Sequence, residues 1–315
     1  MSTVTWNATE AKEKMSKGTF AARAVRTSVY DNNNEIFAVD GYTTSEGVTY
    51  TFDEAEKQAM LDATIVYDKP FSVAEVPTLA EGITKKETQN IGCIEKAEML
   101  IKNGYNPAVL NLADAYAACG GYHKGSNAQE ESLCRQSTLS QSLYQYYKAQ
   151  QAEAVSVPFR KAAYPMDMRN GGIYSPRVKV FRNGPITGYE LIPQPWEMSV
   201  ISVAALDFNA KHGKNRDLMT PNGGFKKEGE EILKEKIRTI YRIGLANGHD
   251  SLVLGAFGCG AFNLDPECVA FFFRQILTED EFRNKYRLIS FAILEGQGKG
   301  TGKNGKFAPF YRLFC

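Results

Sequence analysis

Two glycine-rich loops constrain this chain more than any other feature, because each lies between a short apolar run and a helix-patterned stretch. The first follows the apolar run 108–112 and reads NLADAYAACGGYHKGSNAQEE over 111–131. The second, GAFGCGAF over 255–262, follows the apolar run 251–254. Strand–loop–helix units of this kind build sheets covered by helices. Ligands of such sheets bind beyond the C-terminal ends of the strands, where both loops are expected.

The rest of the pattern extends this reading. Residues 83–88, 173–181, 198–204 and 288–294 read as further strands, and 93–103, 128–150, 228–247 and 266–277 as helices. The expected fold class is α/β: a three-layer α/β/α sandwich with a mixed sheet. Residues 1–80 form an expected accessory extension packed on a core of 81–315. In that extension 11–29 predicts a helix with Met15, Phe20 and Val25 inward. Residues 31–34 predict a turn, and 35–39 with 48–52 a hairpin. Asp53 predicts an N-cap for a helix to about residue 63, with Glu56 at the capping-box position. The stretch 211–224 reads as an exposed loop, 296–306 as a Gly/Lys-rich loop, and 310–314 as a last edge strand.

Composition removes several function classes. The chain has 37 basic and 36 acidic residues, which argues against binding nucleic acid by bulk charge and against a polybasic membrane anchor. No apolar run reaches the roughly 20 residues needed to span a bilayer. Residues 1–17 lack the apolar core of a signal peptide. Six scattered cysteines, none in a CxxC pair, fit a reducing cytosol and give no zinc motif. With only three histidines the chain is a poor candidate for a histidine metal cluster. A cytoplasmic enzyme without metal or cofactor is expected.

In the first loop, Gly120, Gly121 and Gly125 allow positive φ and close approach of backbone to ligand. The helix predicted to start near Ala128 points free N–H groups at the loop, which suits a diphosphate. Gln129, Glu130 and Glu131 fall in its first turn. Neighbouring helix residues point about 100° apart, so the two carboxylates divide their tasks. One can bind sugar hydroxyls while the other protonates a glycosidic oxygen. The plainer alternative is that acids favour first turns through the helix dipole. The second loop offers another backbone cradle, with Pro266 suited to open the next helix, or else a tight strand-to-helix turn. Two cradles and a carboxylate pair fit a dinucleotide-like ligand with a sugar to be cleaved.

These residues resemble the microbial-type poly(ADP-ribose) glycohydrolases of the macrodomain superfamily. The likeness rests on NPAVLN over 106–111, AQEESLCR over 128–135, IYSP over 173–176, VFR over 180–182 and LVLGAFGCGAF over 252–262. It implies that Glu131 is the catalytic acid, that Glu130 binds hydroxyls of the ribose being cleaved, and that Gln129 fixes the loop. Asn111 would contact the distal ribose. Gly258, Cys259, Gly260 and Ala261 would line the diphosphate with N–H groups, and Phe262 would pack on that ribose. An oxocarbenium-like state is implied, with Glu131 protonating the leaving oxygen and then activating water. The implied partners are ADP-ribose, poly(ADP-ribose) and ADP-ribosylated macromolecules, met by a monomer. Where the family has three glycines, this chain has Cys119, Gly120 and Gly121, and Ala118 replaces a usual proline. If Cys119 has positive φ, its side chain costs about 1 kcal/mol. A reader that binds ADP-ribose without cleaving it, or a hydrolase for mono-ADP-ribosylated protein or nucleic acid, would use the same residues.

Overall fold

The computed structural model describes residues 4–73, 82–149, 157–295 and 305–315. The strands are β1 (Gly41–Thr43), β2 (Thr49–Thr51), β3 (Ile65–Tyr67), β4 (Lys85–Gln89), β5 (Pro107–Ala113), β6 (Gly172–Arg182), β7 (Leu191–Ala204), β8 (Ser251–Leu254) and β9 (Leu288–Ala292). The helices are α1 (Ala8–Ser16), α2 (Thr19–Ala38), α3 (Glu54–Asp62), α4 (Cys93–Lys102), α5 (Gln129–Gln136), α6 (Leu139–Tyr144), α7 (Lys227–Ala246), α8 (Pro266–Leu277) and α9 (Phe307–Phe314). Seven strands form one sheet in the order β3-β6-β7-β5-β8-β9-β4, while β1 and β2 make a separate antiparallel pair. The pairings β5–β8, β8–β9 and β9–β4 are parallel. The expected α/β class with a mixed sheet and flanking helices is what the chain adopts.

The chain divides into two compact units that are interleaved in sequence. One comprises Met1–Ile65, Ala113–Pro165 and Ser175–Val200, the other Val66–Leu112, Met166–Tyr174 and Ile201–Cys315. The expected boundary at residue 80 lies outside the described residues.

The second unit holds the larger apolar core. β8 and β9 are buried along their whole length, as strands covered on both faces must be. α7 lays Ile232, Leu233, Ile237, Ile240 and Leu245 into this core, and α8 adds Val269, Phe273 and Ile276. Asp265 caps α8 by accepting the Glu267 N–H, with Pro266 at the first helical position. The predicted strand 310–314 is instead the helix α9. Phe310 and Phe314 lie one turn apart, and both rings pack on Phe291 at centroid distances of 4.9 and 4.4 Å. A short apolar run does not by itself choose between the two periods. Of the predicted loop 296–306, residues 296–304 lie outside the described residues.

The first unit departs more from expectation. The predicted helix 11–29 is broken by Gly18 at φ 120°. α2 then runs straight through the predicted turn 31–34 and the predicted strand 35–39. Asn residues favour turns because their side chains bond to nearby backbone. Here that capacity is spent at long range: Asn33 bonds Tyr122, Arg135 and Arg182, and Asn32 bonds Arg182 and the Thr5 carbonyl. Ile36 and Phe37 are thereby free to face a core of Tyr42, Phe52, Phe181 and Leu191. Val25 is inward as predicted, but Phe20 is 88% exposed. Asp53 caps α3 as predicted, accepting the Glu56 N–H at 3.0 Å.

The predicted helix 128–150 is two helices. Ser137 is extended (φ −146°, ψ 174°) and bridges Val180 of β6. The Thr138 N–H donates to the Lys179 carbonyl at 2.9 Å, and the Lys179 N–H returns a bond to the Thr138 hydroxyl at 3.0 Å. A passing strand thus takes the hydrogen bonds that would have continued the helix.

Candidate active site

The first glycine loop begins where β5 ends. Asp114 starts it with a turn, its Oδ1 accepting the N–H groups of Tyr116 (2.7 Å) and Ala117 (3.0 Å). The N–H of Asp114 itself donates to Glu130 Oε2 at 2.7 Å. Gly121 donates its N–H to Glu131 Oε1 at 2.9 Å. Each carboxylate is therefore anchored by a different backbone donor. The anchors come from the start and the middle of the loop, so the first turn of α5 also fixes the loop's path.

The glycines are needed for two reasons. Gly120 has φ +50°, and a Cβ there would sit 2.8 Å from Glu131 Oε1 and 3.2 Å from Glu130 Oε2. Both carboxylates thus converge on a residue without a side chain. Gly121 has an ordinary φ of −91°, so its expected positive φ is not what the turn requires. A Cβ there would meet Ser126 Oγ at 2.2 Å, and close approach is what requires glycine. Gly125 is left-handed at φ +68° and lies against the Arg23 carbonyl on α2.

Burial and charge then separate the two acids from their surroundings. Glu130 is 3% exposed and Glu131 7%. Glu131 Oε2 is buried with no hydrogen-bond partner among the described residues. A buried carboxylate oxygen without a donor is costly. Gln129 opens α5 beside them, half-buried.

Cys119, where the family pattern has glycine, is left-handed at φ 62° and fully buried. Burial pushes its thiol up, and the nearby Glu130 pushes it the same way, although a hydrogen bond with Cys134 opposes them. It is held as a neutral thiol, which is not the state of a nucleophile. Tyr122 is buried, its hydroxyl accepts from Asn33 at 2.7 Å, and its ring packs edge-on against Tyr30.

Tyr164 escaped the sequence reading. Its hydroxyl is buried without a hydrogen-bond partner among the described residues, and burial first, then the charge of Glu130, holds its proton firmly. A phenol 33 residues beyond Glu131 leaves no local signature.

In the second unit, Asn111 is fully buried on β5 and donates to Ser202 Oγ at 3.0 Å. The second loop turns at Gly258, whose φ is +72° and whose Cβ would meet Leu264 Cδ1 at 2.5 Å and Ala205 Cβ at 2.8 Å. The N–H of Cys259 donates inward to the Ala256 carbonyl at 3.0 Å, and its buried thiol faces the Phe257 carbonyl. Those of Gly258, Gly260 and Ala261 donate no backbone hydrogen bond among the described residues. Gly260 and Ala261 are exposed and Phe262 is half-buried. The Ala261 and Phe262 carbonyls are held by Asn209 Nδ2 and the Phe208 N–H, both at 2.9 Å. Lys306 Nζ lies 3.6 Å from where a Cβ of Gly260 would stand, placing a cation at the exposed donors. In the sequence that lysine is the last residue of the Gly/Lys-rich stretch 296–306.

A groove of about 830 Å³ lined by Ile83, Thr84, Lys85, Lys86, Tyr105 and Leu288, among others, contains none of the predicted site residues. Among the described residues no group of three or more His, Cys, Asp or Glu is placed to hold a metal ion. No described helix is long and apolar enough to cross a membrane.

Residues 31–183 match the family model for the microbial-type PARG catalytic domain, PARG being poly(ADP-ribose) glycohydrolase. That stretch is a microbial-type PARG catalytic domain. Solved structures agree over a longer span. The Thermomonospora curvata poly(ADP-ribose) glycohydrolase is 25% identical with a TM-score of 0.70, covering 94% of this chain and 100% of its own. The same protein bound to the inhibitor ADP-HPD gives 25% and 0.68 over 93% and 99%. The Deinococcus radiodurans enzyme in complex with ADP-ribose gives 26% and 0.63 over 81% and 96%. No curated protein matches the chain. The glycohydrolase family places the chain among enzymes, and the Glu130–Glu131 pair falls within the matched stretch.

Proposed function

We propose that this glycohydrolase cleaves the ribose–ribose bond of poly(ADP-ribose), with Glu131 as the proton donor. The observation that carries this is the asymmetry of the Glu131 carboxylate. Oε1 is tied to the Gly121 N–H, and Oε2 is buried with no partner among the described residues. The proton therefore travels on Oε2, to the leaving oxygen as an oxocarbenium-like state forms. The same oxygen then takes a proton from the attacking water. Glu130, oriented by the Asp114 N–H, accepts hydroxyls of the ribose being cleaved.

The remaining sites follow from their donors. Gly258, Gly260 and Ala261 offer N–H groups to the diphosphate, with Lys306 adding charge, and Cys259 lines that turn. Gln129 fixes the loop, with Gly120 and Gly121 supplying backbone against the ribose, Asn111 serves the distal ribose, and Phe262 packs on it. The enzyme acts as a cytoplasmic monomer on polymer attached to ADP-ribosylated macromolecules.

Glu131→Gln tests this directly, because Gln keeps an oxygen for the Gly121 N–H and loses only the proton. ADP-ribose release from polymer should fall by about 10²- to 10⁴-fold. Calorimetric affinity for ADP-ribose should stay within a few fold. Undiminished release would remove Glu131 from the mechanism. Release from singly modified protein but not from polymer would move the substrate assignment and leave the chemistry in place.

A further inference from the structure

The first unit buries three arginines, Arg26 on α2, Arg135 on α5 and Arg182 at the end of β6. Arg135 and Arg182 are 0% exposed and Arg26 is 7% exposed. Asn33 links two of them, its Nδ2 donating to the Arg135 carbonyl at 2.9 Å while its Oδ1 accepts from Arg182 Nε at 2.6 Å. Tyr189 links them again: Arg135 faces its ring at 5.8 Å, and Arg182 donates to its carbonyl at 3.0 Å. Arg26 donates to the Gly125 carbonyl at 2.7 Å. Burial lowers the Arg26 proton affinity, Tyr189 opposes that, and the Arg135 charge lowers it again.

None of these partners is charged. The ion pairs among described residues of this unit engage Lys14, Lys17, Lys57, Arg160 and Lys179, never these three arginines. Arg135 is the extreme case, since Nε, Nη1 and Nη2 are all buried without an acceptor among the described residues. A guanidinium does not escape this cost by losing its proton. A ring face near 6 Å compensates only part of it. Glu131 lies one turn earlier on α5, but its bonded oxygen is committed to Gly121 and it makes no ion pair with Arg135. A buried charge is stable when it is paired and hydrogen-bonded.

We propose that Arg135, with Arg26 beside it, binds a small monovalent inorganic anion of the chloride class in the interior of the first unit. The complete burial of Arg135 selects a compact anion over a phosphate ester or a carboxylate-bearing metabolite. The consequence reaches the active loop. Arg26 and Arg23 hold the carbonyls of Gly125 and Lys124 at 2.7 and 2.8 Å, and Arg135 follows Glu131 on the same helix. An anion between α2 and α5 would clamp the loop that positions the acid.

The test uses the full chain in buffers of equal ionic strength whose anion is chloride, bromide or the bulky gluconate. Tm should rise by about 2 °C for each tenfold increase in chloride above its Kd, and not rise with gluconate. Crystals grown in bromide should show an anomalous peak beside the Arg135 guanidinium. Arg135→Met and Arg26→Gln should each weaken the chloride dependence, by about tenfold or more in apparent Kd. Equal Tm in chloride and gluconate, with no bromide peak at Arg135, overturns the proposal. The bromide and Tm measurements on the unmodified protein decide the matter even if Arg135→Met fails to fold.

Discussion

Gly120→Ala separates the stability of the active loop from its chemistry. Gly120 sits at φ +50°, so any side chain there carries the left-handed backbone cost of about 1 kcal/mol. The new Cβ would also stand 2.8 Å from Glu131 Oε1 and 3.2 Å from Glu130 Oε2. An ordinary contact needs about 3.4 Å, so the Glu131 carboxylate must retreat by roughly half an ångström. Carboxylates end flexible side chains, so the retreat itself costs little stability. Its effect is on geometry, because the 2.9 Å bond from Gly121 weakens and the acid leaves its line to the glycosidic oxygen. Displacements of this size cost on the order of 10- to 100-fold in rate. Gly47→Ala is the matched control. Gly47 has φ +82° with nothing within 4 Å, so it carries the backbone cost alone. Chemical denaturation should give similar losses of about 1 kcal/mol for both variants. Polymer hydrolysis should fall about 10- to 100-fold for Gly120→Ala and stay unchanged for Gly47→Ala. Wild-type turnover by Gly120→Ala would refute the convergence of both acids on this residue.

Three further outcomes follow from the same geometry. Glu131→Ala should lose activity as Glu131→Gln does, but also lose about 1–3 kcal/mol of stability, because the Gly121 N–H keeps no acceptor; equal unfolding midpoints for the two variants would contradict that anchor. Gly258→Ala meets Leu264 and Ala205 at φ +72°, so a destabilisation of about 2–4 kcal/mol with weakened ADP-ribose binding is expected by denaturation and calorimetry. Burial pulls the Lys236 ammonium down to about 8, against an unfolded value of about 10.4. Between those values the unfolded chain binds the extra proton, so wild-type stability rises with pH. Lys236→Met should therefore stabilise the protein by about 1–3 kcal/mol at pH 7, with the gain shrinking as pH rises from 8 towards 10. A gain that is absent, or constant over that range, would show that the lysine is not held at that cost.

What the sequence made legible, and what it hid, divides along the range of the interactions. The second unit was readable because its elements follow local rules. β8 and α8 fall where an apolar run and Pro266 place them, and α7 follows a plain helical period. The acid pair and its glycines were readable for the same reason, since donor, turn and carboxylate lie within 17 residues of each other from Asp114 to Glu130. The errors fall where a side chain or backbone group answers to a distant partner. Four residues that propose a turn at 31–34 are helical because Asn32 and Asn33 serve Arg182, about 150 positions away. The long helix after Glu131 stops at Ser137 because β6, some 40 residues on, takes up its hydrogen bonds. Both misreadings therefore surround the buried arginines Arg135 and Arg182. These arginines are invisible to periodicity, since a charged residue reads as a solvated face wherever it occurs. Their burial turns the local preference of the asparagines into a tertiary one, and it sets α5 against α2 just behind the acid. The part of the fold that sequence patterning could not reach is thus the support of the active loop, and that support stands on a buried Arg135 charge that an anion would complete.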